Sequence, residues 1–364
     1  MGAIADLFRD YGEDYIRQFT PNIPHAHIKA INNIRKCRTI DCGINIYKCD
    51  DCGQSHYRFK GCGSRNCPNC QQHKANGWLA KRLEDRLPGP HFMITFTVPE
   101  ELRTLIRSMQ KDAYDAMFQA SAEALRQLAK DPRFIGCDLP GFYGILHTWG
   151  RQLHYHPHIH YIVPGGGIDR KTKTWKSSRE DFFVSVHALS KLFRGKLRAA
   201  FRDKGIPEAD NPALWQTAFV VNSQAVGSNP QGAIKYLAPY VFKVAIADSR
   251  IVSVNNRKVT FRYKKSGSER WRRMTLDVFE FIRRFLQHVL PSGFMKVRYY
   301  GFMNGSCKIP IKEVAAMIEL ANGFRDCLDY DAIEPPQIFV AICAHCGGTL
   351  KLTQTILPYE MVPG

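Results

Sequence analysis

Long stretches with apolar residues at helical spacing alternate along the chain with short runs rich in β-branched and aromatic residues, and glycine and proline mark the joints. Apolar and polar residues mix at helix-like spacing from Phe8 to Ile34, which predicts a helical lead-in. Leu87-Pro-Gly-Pro90 then interrupts regular structure, and the run HFMITFTV from His91 to Val98 predicts a strand that opens a new unit. Pro99-Glu-Glu puts a first-turn proline and two acids at the start of a long helix reaching about Lys130. Two further strands are expected, Gly141 to Trp149 and Pro157 to Val163, joined by a short polar connection as in a hairpin; the second stops at Gly165-Gly-Gly167. A helix from Val186 to Lys204 follows, then a strand near Thr217 to Asn222 and a helix carrying Tyr236 and Tyr240. Beyond these lie a strand pair from Arg250 to Tyr263 turning at Asn255-Asn256, an amphipathic helix from Thr275 to Val289 and a last helix near Ile311 to Leu320. Strands and helices mixed in this order predict an α+β fold without internal repeats. The punctuation divides the chain into residues 1–86, 87–303 and 304–364.

Composition narrows the partner. The chain has 364 residues, room for more than one core, and its 51 Lys and Arg against 33 Asp and Glu give a net charge of +18. Such an excess favours a polyanion, because neutralising phosphates releases condensed counterions, so nucleic acid is the expected partner. A membrane partner is not expected. The N-terminus carries acids where a signal peptide needs cations and an apolar core, and no apolar run approaches the roughly 20 residues that span a bilayer. A cytoplasmic location is expected.

Twelve cysteines in such a chain point to metal more than to disulfides, and seven of them fall between Cys37 and Cys70. Cys49-x2-Cys52 and Cys67-x2-Cys70 are two knuckles fourteen residues apart, close to the spacing that wraps one tetrahedral Zn²⁺, and these four thiolates are the expected structural zinc site. Cys37, Cys62, His56 and His73 either complete a second zinc site or serve as core thiols and surface imidazoles; Cys42 is left with them. Basic residues beside the knuckles, among them Arg58, Lys60, Arg65 and Lys74, suggest that this region grips DNA. Cys343-Ala-His-Cys346 looks like half of another zinc ribbon with no evident partner, to which Cys307 and Cys327 are candidate complements.

His154-Tyr-His156-Pro-His158-Ile-His160 packs four histidines into seven residues. On a strand, side chains alternate between faces, so His158 and His160 point the same way and Ile159 the other, which makes the two imidazoles a chelating pair. His147, on the preceding strand, is the first choice for a third ligand, and His156 the second. Imidazoles alone suit Zn²⁺ or Mn²⁺, whereas phosphodiester cleavage is commonly served by Mg²⁺ or Mn²⁺ acting as Lewis acid. Lys235-Tyr236-Leu-Ala-Pro-Tyr240 sets two tyrosines at i and i+4, on one face of a helix. A phenol with its ordinary pKa near 10 needs a polarised phosphate and cationic neighbours such as Lys235 or Lys243 to act as nucleophile. Core packing is the competing role for such aromatics, and Pro239 removes a helical hydrogen bond between them.

From Arg257 to Arg273 eight basic residues, including Arg257, Lys258, Arg262, Lys264 and Lys265, are interleaved with Phe261, Tyr263 and Trp271. Cations for phosphates and aromatic faces for bases suit a single strand, although a solvated hairpin with core-facing aromatics fits the same pattern.

The cysteine knuckles together with HFMITFTVPEEL, GILHTWGRQLHYHPHIHYIVPGGG, AIKYLAPYVFKVAIADSRI and HVLPSGFMKVRYYGF resemble the rolling-circle insertion-sequence transposases of the ninety-one family, over about Cys37 to Phe302. That family belongs to the HUH endonucleases. The resemblance implies an antiparallel sheet with the motif histidines on a central strand, a catalytic Mg²⁺ or Mn²⁺ held by His158 and His160, and Tyr236 and Tyr240 as the two nucleophiles of a Y2-type enzyme. A third histidine from the neighbouring strand, as in relaxases of the superfamily, supports His147. It further implies cleavage of single-stranded DNA to a 5′-phosphotyrosine and a free 3′-hydroxyl, strand transfer by the reverse step, and a bacterial nucleoid setting. The rivals are a plasmid replication initiator or relaxase-like nicking enzyme, whose usual helicase is not signalled by any G-x-x-x-x-G-K-[ST], and a non-enzymatic zinc-containing DNA-binding protein.

Overall fold

A computed structural model describes residues 2–207, 212–228, 230–242, 245–265, 267–324 and 341–358. In chain order the elements are helices α1 (Ala3–Phe19) and α2 (His25–Lys36), strands β1 (Ile44–Cys49) and β2 (Ser55–Phe59), helix α3 (Gln72–Glu84), strand β3 (His91–Thr97), and helices α4 (Arg103–Ser108) and α5 (Gln110–Lys130). There follow β4 (Leu139–Pro140), β5 (Phe142–Trp149), β6 (Tyr155–Pro164), β7 (Gly166–Asp169), β8 (Thr174–Ser177), α6 (Val186–Asp203), β9 (Val221–Gly227) and α7 (Gln231–Phe242). The remainder comprises β10 (Ile251–Asn255), β11 (Lys258–Lys264), β12 (Trp271–Asp277), α8 (Val278–Leu286), β13 (Val297–Tyr300), α9 (Ile311–Ala321) and β14 (Leu350–Ile356). The α+β class expected from the sequence is the class observed, with every strand pair antiparallel.

The central sheet has five strands in the order β13-β5-β6-β3-β9. Its β6 register explains the histidine spacing. Tyr155, Pro157, Ile159 and Tyr161 are buried while His156, His158 and His160 are only partly so. Ile159 and Tyr161 enter the main core with Phe92, Ile94, Phe96 and Leu146 from the neighbouring strands, and α5 and α6 cover that face. Removing an aliphatic side chain such as Ile159 from water stabilises the fold by about 2 kcal/mol. Hydroxyls buried with it are paired: those of Ser121 and Tyr161 lie 2.7 Å apart, those of Tyr114 and Tyr155 2.6 Å. Gly144 faces Tyr161 across β5 and β6, and a Cβ there would stand 2.4 Å from the ring, so a side chain at this position would push the two strands out of register.

The opposite face of the sheet is covered by α7. Ala233, Leu237 and Val241, spaced by four along this helix, pack on Tyr143, Ile145 and Ile162, and α3 packs beside it. The helix runs unbroken through Pro239.

The N-terminal helices do not close a core of their own. Ile4, Leu7, Phe8, Ile31 and Ile34 share a cluster with Phe261, Phe281, Ile282 and Phe285, and the Phe8 and Phe285 rings meet edge to face at 5.1 Å. The helical lead-in expected from Phe8 to Ile34 consists of two helices, α1 and α2, parted around Pro21 and Pro24. The expected Thr275 start of the amphipathic helix is corrected to Val278, because Trp271–Asp277 pairs with β11 as a strand and Asp277 caps the helix by accepting from the Phe279 N–H at 2.8 Å. The turn between β10 and β11 sits at Asn256-Arg257, both at positive φ, one residue later than expected. None of the helices among the described residues is long and apolar enough to cross a membrane.

Candidate active site and metal centres

His147 and His158 are direct cross-strand partners on β5 and β6, and His160 follows on the same face. Their ring centroids lie 5.3 Å (147–158), 4.6 Å (147–160) and 4.8 Å (158–160) apart, and one ligand nitrogen from each falls within 4.8 Å of the others. The three rings therefore converge, with His147 and not His156 as the third member; His156 continues the row outward, 5.0 Å from His158.

The surroundings prepare these rings for a cation. His158 donates from Nδ1 to the His156 carbonyl at 2.7 Å, which leaves Nε2 as the lone-pair nitrogen. His160 Nδ1 meets Thr95 Oγ1 at 2.8 Å, fixing that ring through β3, where Thr95 is its cross-strand partner. Burial and then the neighbouring His160 push His158 down to about 3; burial and then His156 push His160 down to about 4; burial and both partners hold His147 well below the ordinary histidine value. All three are neutral at physiological pH, the form a metal requires. The donor set, three neutral imidazoles converging on one sheet face, fits a divalent ion. Behind them Trp149 stacks on His147 at 5.2 Å and Lys296 Nζ lies 4.7 Å from the Trp149 ring centre. Burial lowers that ammonium to about 7.

α7 carries the tyrosines across the same sheet face that bears the histidines, since Ile145 and Ile162 flank His147 and His160 at two-residue spacing and contact the helix cluster. Tyr236 is 50% exposed, so its role is not core packing, and Lys235 beside it is exposed too. Tyr240 lies on the helix, but its side chain falls outside the described residues, as does that of His73; Lys243 and Cys327 lie outside them entirely.

One region that sequence reasoning missed is a cleft of about 710 Å³ lined by Arg103, Arg107, Arg283, Arg284, Glu100 and His154, among others. His154 is 5.8 Å from His156, so the imidazole row leads from this basic cleft to the three-histidine site. Its arginines come from α4 and α8, 176 or more residues apart in sequence, and no local pattern signals their convergence. On the third sheet, β10-β11-β12, Phe261 and Tyr263 face the core while Arg262, Lys258 and Lys265 are exposed with Trp271, and Arg262 and Lys264 sit 5.0 and 5.4 Å from the Trp271 ring centre. Arg257 instead lies over Phe279 at 4.7 Å.

The cysteines are grouped differently from the expectation. Cys67 and Cys70 join Cys37 and Cys62, whereas Cys49 and Cys52 join Cys343 and Cys346. The expected Cys49, Cys52, Cys67, Cys70 site is thereby corrected. Cys49 and Cys52 form the tip of the β1–β2 hairpin, while Cys37 precedes β1 and Cys62 follows β2 at its base, and the five residue steps of β1 separate tip from base by about 17 Å. His56, expected with Cys37 and Cys62, stands at the tip with Nε2 3.1 Å from Cys343 Sγ. Cys42 donates to the Lys36 carbonyl at 3.0 Å and belongs to neither group. In the basal group the Sγ atoms of Cys37 and Cys70 lie 3.4 Å apart and those of Cys62 and Cys70 3.7 Å, near the edge of about 3.8 Å of a tetrahedron with Zn–S of about 2.3 Å.

The family described as "Transposase zinc-binding domain" matches residues 7–98, and that described as "Putative transposase" matches residues 141–309. The chain is similar to "Putative transposase y4qJ" of Sinorhizobium fredii, 36% identical over 319 residues that cover 82% of this chain and 80% of the other. It is also similar to "Transposase for insertion sequence element IS801" of Pseudomonas savastanoi pv. phaseolicola, 25% identical over 81% of this chain and 75% of the other. No solved structure matches. With a zinc-binding segment, a converging histidine trio and this likeness along four fifths of its length, the chain belongs to the ninety-one family of insertion-sequence transposases and is a DNA-cleaving enzyme.

Proposed function

We propose that this transposase cleaves and rejoins single-stranded DNA through a 5′-phosphotyrosine, mobilising an insertion sequence by a rolling-circle-type mechanism. The observation that carries the reading is the convergence of His147, His158 and His160 on the sheet face over which α7 lies. Mg²⁺ or Mn²⁺ bound by these histidines supplies Lewis-acid polarisation of the scissile phosphate. The protein's own groups do the rest. Thr95 and the His156 carbonyl orient the imidazoles, and the cleft of Arg103, Arg107, Arg283 and Arg284 neutralises the strand leading to them. Tyr236, with Tyr240 as the second phenol, attacks phosphorus; the bond to the 3′-oxygen breaks, and the phenol's proton ends on the released 3′-hydroxyl. Attack by another 3′-hydroxyl on the phosphotyrosine restores the phenol and joins the new strand. Lys235, Lys243, Arg257, Lys258, Arg262, Lys264 and Lys265 serve the DNA grip. Cys37, Cys62, Cys67 and Cys70 hold a structural zinc that fixes the base of the hairpin.

The test is incubation with a single-stranded oligonucleotide and Mg²⁺ or Mn²⁺, followed by denaturing electrophoresis. A covalent protein–DNA adduct is expected, absent from the Tyr236→Phe, Tyr240→Phe double variant and from wild type in chelator. An adduct that survives in the double variant, or none with either metal, overturns the proposal.

A further inference from the structure

We propose that Cys49, Cys52, Cys343 and Cys346 hold one structural zinc ion, so that the two ends of the chain close a single zinc ribbon. The four sulfurs converge although the knuckles are separated by almost 300 residues: Cys49 and Cys346 Sγ lie 3.4 Å apart, Cys52 and Cys343 Sγ 3.8 Å. Both distances suit the edge of about 3.8 Å of a zinc tetrathiolate.

The backbone supplies an independent reason. In the first knuckle, Cys49 N–H donates to the Gln54 carbonyl at 2.9 Å, and Gly53 N–H to the Cys49 carbonyl at 3.0 Å. In the second, Cys343 N–H donates to the Gly348 carbonyl at 2.8 Å, and Gly347 N–H to the Cys343 carbonyl at 3.0 Å. The offsets are the same, and in each the glycine after the second cysteine adopts a positive φ, +72° at Gly53 and +79° at Gly347. Two copies of one turn, each of the C-x2-C-G form, thus face each other across a common centre. A pair of unrelated thiol-bearing loops has no reason to share this hydrogen-bond pattern.

The rest of the contact is built around that centre. β14 pairs with β1 from Ile44↔Ile356 to Cys49↔Leu350 and so covers the edge β1 would otherwise expose. Asp50 N–H donates to the Thr349 carbonyl at 3.1 Å, Lys351 pairs with Asp50 at 2.9 Å, and His56 sits against Cys343 as a candidate N–H donor to its sulfur. Among the described residues the small apolar cluster there holds Cys49, Cys343 and Leu350, with Tyr47 and Ala341 partly buried beside them, too little to hold a three-stranded sheet without the ion. The family's zinc-binding segment, residues 7–98, contains only half of this ligand set. The inference concerns architecture and stands or falls apart from the cleavage chemistry.

Zinc per chain, measured by elemental analysis of the purified full-length protein, tests it. Cys343→Ser with Cys346→Ser is expected to remove one equivalent, Cys49→Ser with Cys52→Ser to remove one, and the four changes together to remove only one, because all act on the same ion. Retention of the full complement by the Cys343→Ser, Cys346→Ser variant, or loss of two equivalents by the fourfold variant, overturns the proposal. Should those variants fail to fold, alkylation of the wild-type protein decides. Cys49, Cys52, Cys343 and Cys346 are expected to be protected together and to become reactive together on chelation. Modification of Cys343 and Cys346 as fast as Cys307 while zinc is bound overturns it.

Discussion

Arg262 and Arg273 face each other directly across β11 and β12, both exposed, and this pair separates a folding role from a binding role. Like charges directly opposite in an antiparallel pair cost about 0.5 kcal/mol relative to neutral partners. A phosphate lying over them converts that cost into affinity. Arg273→Thr is therefore expected to move stability and binding in opposite directions. Relieving the repulsion, next to the existing Thr260–Thr275 hydroxyl pair at 2.8 Å, should leave the melting temperature unchanged or raise it by about 1–2 °C. Loss of one phosphate contact should reduce the slope of log affinity against log salt by about 0.7 for a single strand, which is a roughly fourfold weakening at about 0.15 M salt that shrinks towards higher salt. Fluorescence anisotropy with a labelled single-stranded oligonucleotide over about 0.05–0.5 M salt, beside a thermal melt, measures both. A variant that melts lower and keeps the wild-type salt slope would refute the reasoning and make Arg273 a folding residue of the β10-β11-β12 sheet.

Other perturbations probe the site itself. Leu237, fully buried between α7 and Tyr143, Ile145 and Ile162, should cost about 3 kcal/mol when changed to Ala, seen as a lower urea midpoint; adduct formation should fall well below wild type in conditions where the variant remains folded, and unchanged cleavage would show that the seating of α7 does not position its phenols. His158→Ala should abolish the adduct while DNA binding stays near wild type, and His147→Ala should behave likewise whereas His156→Ala keeps most of the activity; parallel loss of binding and cleavage in His158→Ala would count against separate roles for metal and phosphate grip. Arg283 and then Arg284 hydrogen-bond Glu280 and hold its carboxyl at about 2, below its ordinary 4.5, so its contribution is fully present above pH 4.5 and lost as pH falls towards 2. Glu280→Gln should accordingly melt lower than wild type at neutral pH, by a small amount because the group is largely solvated, and the gap should narrow below about pH 4; a gap constant with pH would rule out the ion pair as its cause.

The histidine strand was legible because its information is local. Period-two histidines on a β-rich run define a face without reference to the rest of the chain, and a short connection obliges the previous strand to pair alongside, which brought His147 opposite His158. The core followed for the same reason: Ile159 and Tyr161 alternate with the imidazoles and had nowhere to go but the opposite side. Residues 275–277 read as helix because Leu276 continues the apolar spacing of α8, and only pairing with β11, a tertiary event, draws them into a strand.

What stayed hidden is what depends on which distant segments meet. A C-x2-C knuckle fixes the shape of its own turn and the direction of two sulfurs, but it carries no information about its partner. With three C-x2-C knuckles available, sequence proximity favoured Cys49–Cys52 with Cys67–Cys70, and it misled because the fourteen residues between them include a complete hairpin strand that carries one knuckle away from the other. The basic cleft is of the same kind, since Arg103 and Arg107 on α4 meet Arg283 and Arg284 on α8 only in the folded chain. The same logic explains why Pro239 proved a poor guide. It forbids one hydrogen bond within α7, a local cost, whereas Ala233, Leu237 and Val241 dock the helix on the sheet along three successive turns, and that burial outweighs the missing bond.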